Sequence, residues 1–266
     1  LARAIVKQVT MNRPAAFLLI AVFASSLACQ FFIPAGTGTV ISDCAQLVSA
    51  VASLQNGQIP SSLFETGKKQ GDEFDVNQYF NVLTHTSMQE GYTLDYVYQI
   101  DSLGGYPLLY ARPVAQAPYP SVLDIPDNTE LPDFREHLQV EDVEQGYFEY
   151  VVLDIMARQF YLSWHANYND TLILCNRQQV YDIVAQVSSG EFGAAMDVAQ
   201  QAQARTLRNI RPVVRLTGDV ATVEIVTFTK WGGFYRETYT IRRGFPHTIV
   251  DVKQENIIPY DCGIVF

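Results

Sequence analysis

The stretch VVRLTGDVATVEIVTFTKWGGFYRETYTIRRGFPHTIVDVKQE, residues 213–255, decides the fold. Val213 to Leu216 and Ala221 to Thr229 are rich in β-branched and aromatic residues, and Thr217-Gly218-Asp219 between them is turn chemistry. Trp231-Gly232-Gly233 turns the chain again into Phe234 to Arg242, and Thr248 to Val252 closes a meander. Along the second strand Val223, Ile225, Thr227 and Thr229 alternate with Thr222, Glu224, Val226 and Phe228. A period of two places these sets on opposite faces. One face is mixed, as expected of an antiparallel sheet that curls around a pocket.

Upstream of the meander, Asn176 caps an expected helix over Gln179 to Val187, and Ala194 to Asn209 is a strong helix former with few large apolar residues. Helices followed by a long meander, with GDVATVEI opening one strand and TIVDVKQE closing the last, resemble the nuclear transport factor two-like superfamily over residues 176–255. The resemblance implies a curved sheet around a conical pocket, and no single chemistry, since such folds serve enzymes and non-catalytic modules alike. Phe245-Pro246-His247 stands where that superfamily usually carries a tryptophan.

Four segments are expected. Residues 1–28 read as a leader, in which Arg3, Lys7 and Arg13 precede the apolar run Ala15 to Ala24 and the small-residue exit Ser25 to Ala28. Leu-Ala-Cys at 27–29 resembles the lipobox of bacterial lipoproteins, which makes Cys29 the lipidation site; ordinary cleavage after Ala28 and an uncleaved anchor are the alternatives. Residues 29–112 are expected to form a small α+β unit, with helices over Asp43 to Leu54 and Asp75 to Leu83. An aromatic hairpin (Tyr92 to Ile100, Tyr106 to Arg112) completes it. Residues 113–146 read as a Pro-rich acidic linker or loop, with eight acids from Asp124 to Glu144 against one arginine. Residues 147–266 form the second α+β domain. Its first part, Tyr147 to Ile155 and Phe160 to Trp164, is expected to be a second aromatic strand pair echoing the first. The expected fold class is α+β, an antiparallel curved sheet with helices on one side, preceded by the smaller α+β unit.

The chain of 266 residues is 48% hydrophobic and 17% charged, which is globular, and its formal charge of −10 argues against nucleic acid as a partner. The leader implies a cell-envelope address, on the outer face of the cytoplasmic membrane or secreted. The partners expected there are the membrane, through the N-terminal lipid or anchor, and a small molecule or protein. Four cysteines suit an oxidising compartment, and Cys175 with Cys262 is the expected disulfide, stapling the C-terminal tail. No spacing suggests a metal site, a phosphate loop or a nucleophile elbow, so no cofactor is expected.

Two polar clusters remain. His165, Asn167 and Asp170 follow a strand-like run, and an imidazole beside a carboxylate can act as a general base. Trp231, Tyr235, Arg236 and His247 lie on the meander, where aromatics and one guanidinium could grip an anionic or sugar ligand. The leading functional expectation is a non-catalytic extracytoplasmic binding or structural module. The alternatives are a pocket enzyme using the His165–Asp170 pair and an accessory subunit of an envelope complex.

Overall fold

A computed structural model describes residues 38–266 apart from 103, 169–170, 191–192 and 265–266. The leader, Cys29 and Asp170 therefore lie outside the described residues. Along the chain come β1 (Thr39–Val40), α1 (Cys44–Leu54), α2 (Ser61–Thr66), a 3-10 helix (Val76–Asn81) and β2 (Thr86–Met88). The hairpin β3 (Tyr92–Asp101) and β4 (Gly104–Pro113), β5 (Leu138–Val140), α3 (Glu144–Met156) and β6 (Leu172–Leu174) follow. The chain ends with α4 (Arg177–Ser188), α5 (Val198–Thr206), β7 (Val213–Thr217), β8 (Val220–Thr229), β9 (Gly233–Arg242) and β10 (Ile249–Pro259). The class is α+β with antiparallel pairing throughout the described sheets.

The meander forms as expected. β8 pairs with β9 over its whole length, from Val220 opposite Arg242 to Thr229 opposite Gly233. Its other edge is shared: β7 covers residues 220–224 and β6 covers 226–228. β1 extends the sheet beyond β7. The sheet is curved and open. Its two faces serve two cores, so helices cover both sides of the sheet and not one as expected. Ala221, Val223, Ile225, Tyr239 and Ile241 pack with α1, α3 and the β3–β4 hairpin. Val226, Phe228 and Phe234 pack on the opposite side with α4, α5 and the C-terminal tail. β10 is the free edge, and it carries Lys253, Pro259 and two register shifts, features that discourage further strand pairing.

The sharpest departure from expectation is α3. Tyr147, Phe148, Tyr150, Val151, Val152 and Leu153 were expected to make a strand, and they form a helix buried on nearly every side. A run apolar all round loses the period that separates helix from strand, and burial outweighs β-propensity. Gly146 admits the close start of this helix, because a Cβ there would run into the Glu141 carbonyl. Phe160 to Trp164 forms no strand either. Tyr161 and Trp164 hold φ of 52° and 53°, in the left-handed region, and a strand cannot pass through it. The expected duplication of the aromatic hairpin therefore falls.

The 113–146 segment is no linker. It carries β5, which pairs with β2, and Phe134 and Leu138 are fully buried in the first core. Gly36–Phe266 is one compact unit, so the boundaries expected at 112 and 147 do not divide it. Asn176, the expected cap, makes a full capping box with Gln179, and Asp75 caps a 3-10 helix where an α-helix was expected. The Asp43 side chain makes no capping bond.

Candidate functional site

The disulfide organises the most distinctive site. Cys175 pairs with Cys44, not with Cys262, across a sequence separation of 131 residues. Two features bring these cysteines together. β1 pairs Val40 with Val213, and the Ile41 N–H donates to the Pro212 carbonyl, so the start of α1 is stitched to the sheet beside α4. Cys262 is held elsewhere. Its N–H donates to the Lys230 carbonyl and its carbonyl accepts from Ala194, which keeps it as a buried free thiol in the second core. The disulfide is compatible with an oxidising compartment.

Beside this bridge lies a cavity of about 500 Å³, lined by Val40 from β1, Asn176 and Arg177 from the start of α4, the loop 207–211, Val213, Arg215 and Glu224. Two arginines hold its loop. Arg177 donates to the Leu207 carbonyl at 3.2 Å. Arg236 donates to the Arg208 and Asn209 carbonyls at 3.3 and 3.2 Å and pairs with Glu224 at 2.8 Å. Glu224 is shared, with Arg215 at 3.7 Å. Ile210, buried in the second core, anchors the loop, and Asn209 turns it with φ of 54°. Arg208 and Arg211 also line the cavity and are exposed. Among the described residues their guanidinium groups meet no carboxylate and no other acceptor.

A second cleft, of about 380 Å³, lies against the β3–β4 hairpin. Three of its charges are matched to one another, while Glu73 and Asp75, also in its lining, accept from backbone N–H groups. Asp95 accepts from Lys69 at 2.7 Å and from Arg112 at 2.6 Å, and all three side chains are largely buried. Lys69 also donates to the Tyr96 carbonyl, and Arg112 to the carbonyls of Pro113 and Gln116. The Tyr96 hydroxyl, pushed up in pKa by burial, has no partner among the described residues.

One buried carboxylate has a different setting. Glu149 on α3 accepts the His85 backbone N–H at 2.7 Å and meets His85 Nδ1 at 2.8 Å. An ionised carboxylate only accepts, so Nδ1 carries the proton and a neutral ring leaves Nε2 as the acceptor. The Glu149 side chain is 2% exposed and that of His85 is 35% exposed.

The residues expected to bind or react are placed apart. His165 and Asn167 lie in a 3-10 turn, Trp164–Tyr168. The His165 ring lies edge-on to Trp164. Its pairing with Asp170 falls outside the described residues. Trp231 precedes β9 and packs on the second core, whereas His247 follows β9. The ten-residue strand between them spans about 30 Å, so the two do not converge. Tyr235 lies over Gly232, whose absent Cβ gives the ring its room. His247 is buried against Tyr147 and Phe245, and burial holds its pKa below the ordinary value. Arg236 alone reaches the arginine cavity. The sequence did carry a signal for that cavity. Residues 198–218 contain Arg205, Arg208, Arg211 and Arg215 and no acid, in a chain whose formal charge is −10.

Among the described residues no group of three or more His, Cys, Asp and Glu is placed to hold a metal ion. No helix among them is long and apolar enough to cross a membrane. No protein-family model, curated protein or solved structure matches the chain.

Proposed function

We propose that this chain is an extracytoplasmic module, tethered to the membrane through Cys29, that binds a ligand without transforming it. The observation that carries the binding role is the cavity beside the Cys44–Cys175 bridge. A binding site needs a concave surface with a few convergent polar groups left unsatisfied, and Arg208 and Arg211 supply them. The disulfide supports the address. The order of α4, α5 and the four strands β7 to β10 supports the shape implied by the nuclear transport factor two-like resemblance. Two measurements test the reading. Full-length protein should fractionate with membranes, and Cys29→Ala should release it or leave it unprocessed. Recovery of intact wild-type chain in the cytosol with its cysteines reduced would refute the address. A panel of small metabolites should raise the melting temperature for some members, without any being consumed.

The His85–Glu149 pair favours a second reading, an enzyme that moves a proton through His85 Nε2. A buried carboxylate that orients a half-exposed imidazole is the arrangement a general base requires. It replaces His165 and Asp170 as the pair on which that reading rests. Loss of turnover in His85→Gln at unchanged melting temperature would establish it, and consumption of no panel member would dismiss it.

A further inference from the structure

We infer that the cavity beside the disulfide takes a small, multiply charged anion bearing two or more phosphate or carboxylate groups; this rests on the binding-module reading above. The net charge of the chain is −10, yet Arg177, Arg208, Arg211 and Arg215 line one cavity and Arg236 stands directly behind it. Glu224 is the only acid in that lining. Its single charge is already divided between Arg215 and Arg236.

The fold has no use for the remainder. Arg177 has a structural role in donating to the Leu207 carbonyl, but a neutral carbonyl leaves its charge uncompensated, and Arg236, which holds two loop carbonyls, has only its share of Glu224. Arg208 and Arg211 hold nothing in place among the described residues. Like charges gathered around a concave wall repel one another and focus a positive potential into it. A guanidinium offers a planar pair of donors that matches phosphate or carboxylate oxygens. The cationic groups come from three walls: the start of α4, the loop 207–211 and β7 with β9 behind it. One anionic group can satisfy one wall. A ligand with several can bridge them, and a cavity of about 500 Å³ has the room.

Calorimetric titration of the full chain decides the matter, with pyrophosphate and citrate as probes and acetate and orthophosphate as smaller controls. At low salt, pyrophosphate or citrate should bind at least tenfold more tightly than acetate, and added salt should weaken it. Whichever of the two binds better separates a phosphate-bearing from a carboxylate-bearing ligand. Arg208→Gln and Arg211→Gln should each weaken binding about tenfold, the scale of a lost hydrogen bond to a charged group. Lys253→Gln, which removes a cation from the free edge strand, should leave it unchanged. Multiply charged anions that bind no better than acetate, or a double arginine variant that binds as the wild type does, would overturn the inference. Val40→Trp, which fills the cavity mouth, separates the two levels of failure. Uncharged compounds that bind wild type but not Val40→Trp would leave the module reading intact and sink only the anion. No compound sensitive to Val40→Trp would remove the cavity as a binding site altogether.

Discussion

The two clefts hold the same kinds of side chain and settle them in opposite ways. Against the hairpin, Lys69 and Arg112 converge on Asp95, and their remaining donors meet backbone carbonyls. Each of these three charges has a partner of opposite sign, and the cluster ties the segments around 69 and 116 to β3. Beside the disulfide, two arginines are used to fix a loop and two more have no partner among the described residues. The difference teaches that a cluster of ions is read by what is unmatched in it, not by how many charges it gathers. A matched cluster is part of the scaffold. An unmatched one is maintained against its own repulsion and points outward to a ligand.

The largest effect that sharpens this contrast comes from the covalent bond. The Cys44–Cys175 bridge closes a loop of 131 residues, worth about 5 kcal/mol in the chain-entropy account. Replacing both cysteines by alanine should lower stability by several kcal/mol in urea unfolding. Cys175 immediately precedes the α4 cap, so the arginine cavity should lose order first. Hydrogen exchange should rise around 175–178 and 207–211 before it rises in β3 and β4. Equal change in both regions would show that the bridge stabilises the whole unit and not one site.

Asp95→Ala comes next. It leaves Lys69 and Arg112, 13% and 16% exposed, without their shared carboxylate. Removing one partner of a largely buried ion cluster strands the others, at a cost of about 3 kcal/mol. Anion binding at the other cleft should not change. A small loss, under about 1 kcal/mol, would mean that the cluster is hydrated like a surface pair and that the contrast between the clefts is one of degree.

His247 gives a smaller, pH-dependent effect. Burial is the largest influence on it and holds its pKa below 6.5, against the opposing pull of Asp142 and the Arg242 and Arg243 backbone. The ring is therefore neutral in the folded chain where the unfolded chain already takes up a proton. Its contribution is fully present above about pH 6.5, the unfolded value, and is lost as the pH falls below it. Unfolding midpoints from pH 7.5 to 5 should fall for wild type more steeply than for His247→Phe. Parallel curves would assign the acid sensitivity to other groups.

Much of this architecture is legible in the sequence, and what is hidden has physical causes. β7 to β10, the β3–β4 hairpin and α1 follow from local patterns: β-branched and aromatic runs broken by turn residues mark the strands, and an apolar stripe through Leu47 and Val51 marks the helix. α3 is hidden because its surroundings bury it all round, so no periodicity survives in YFEYVVLDI. The Cys44–Cys175 pairing is hidden because it depends on β1 reaching β7, a contact between residues far apart in sequence. The linker reading of 113–146 failed on three residues, Phe134, Leu138 and Val140, whose apolar character was outweighed by the acids around them. For the site, Arg236 was visible as a lone guanidinium on a strand. Its partners were legible too, as the acid-free arginine series from Arg205 to Arg215, but only folding brings Arg177 and Arg236 to the same loop.

The smallest expected effect on stability is the most discriminating. Arg208 and Arg211 are exposed, touch no acceptor among the described residues, and share the cavity lining with Arg177 and Arg215. A surface substitution away from any packing or pairing feature changes stability by within about 0.5 kcal/mol. Removing one of several like charges also relieves repulsion, so Arg208→Gln and Arg211→Gln should leave the melting temperature unchanged or raise it slightly at low salt. Arg112→Gln in the matched cleft should lower it, because Asp95 loses one of its two cationic donors. A loss of more than about 1 kcal/mol in either loop variant would show the arginines to be structural after all. The two clefts would then be two versions of one scaffold device, and the charge beside the disulfide would no longer call for a ligand.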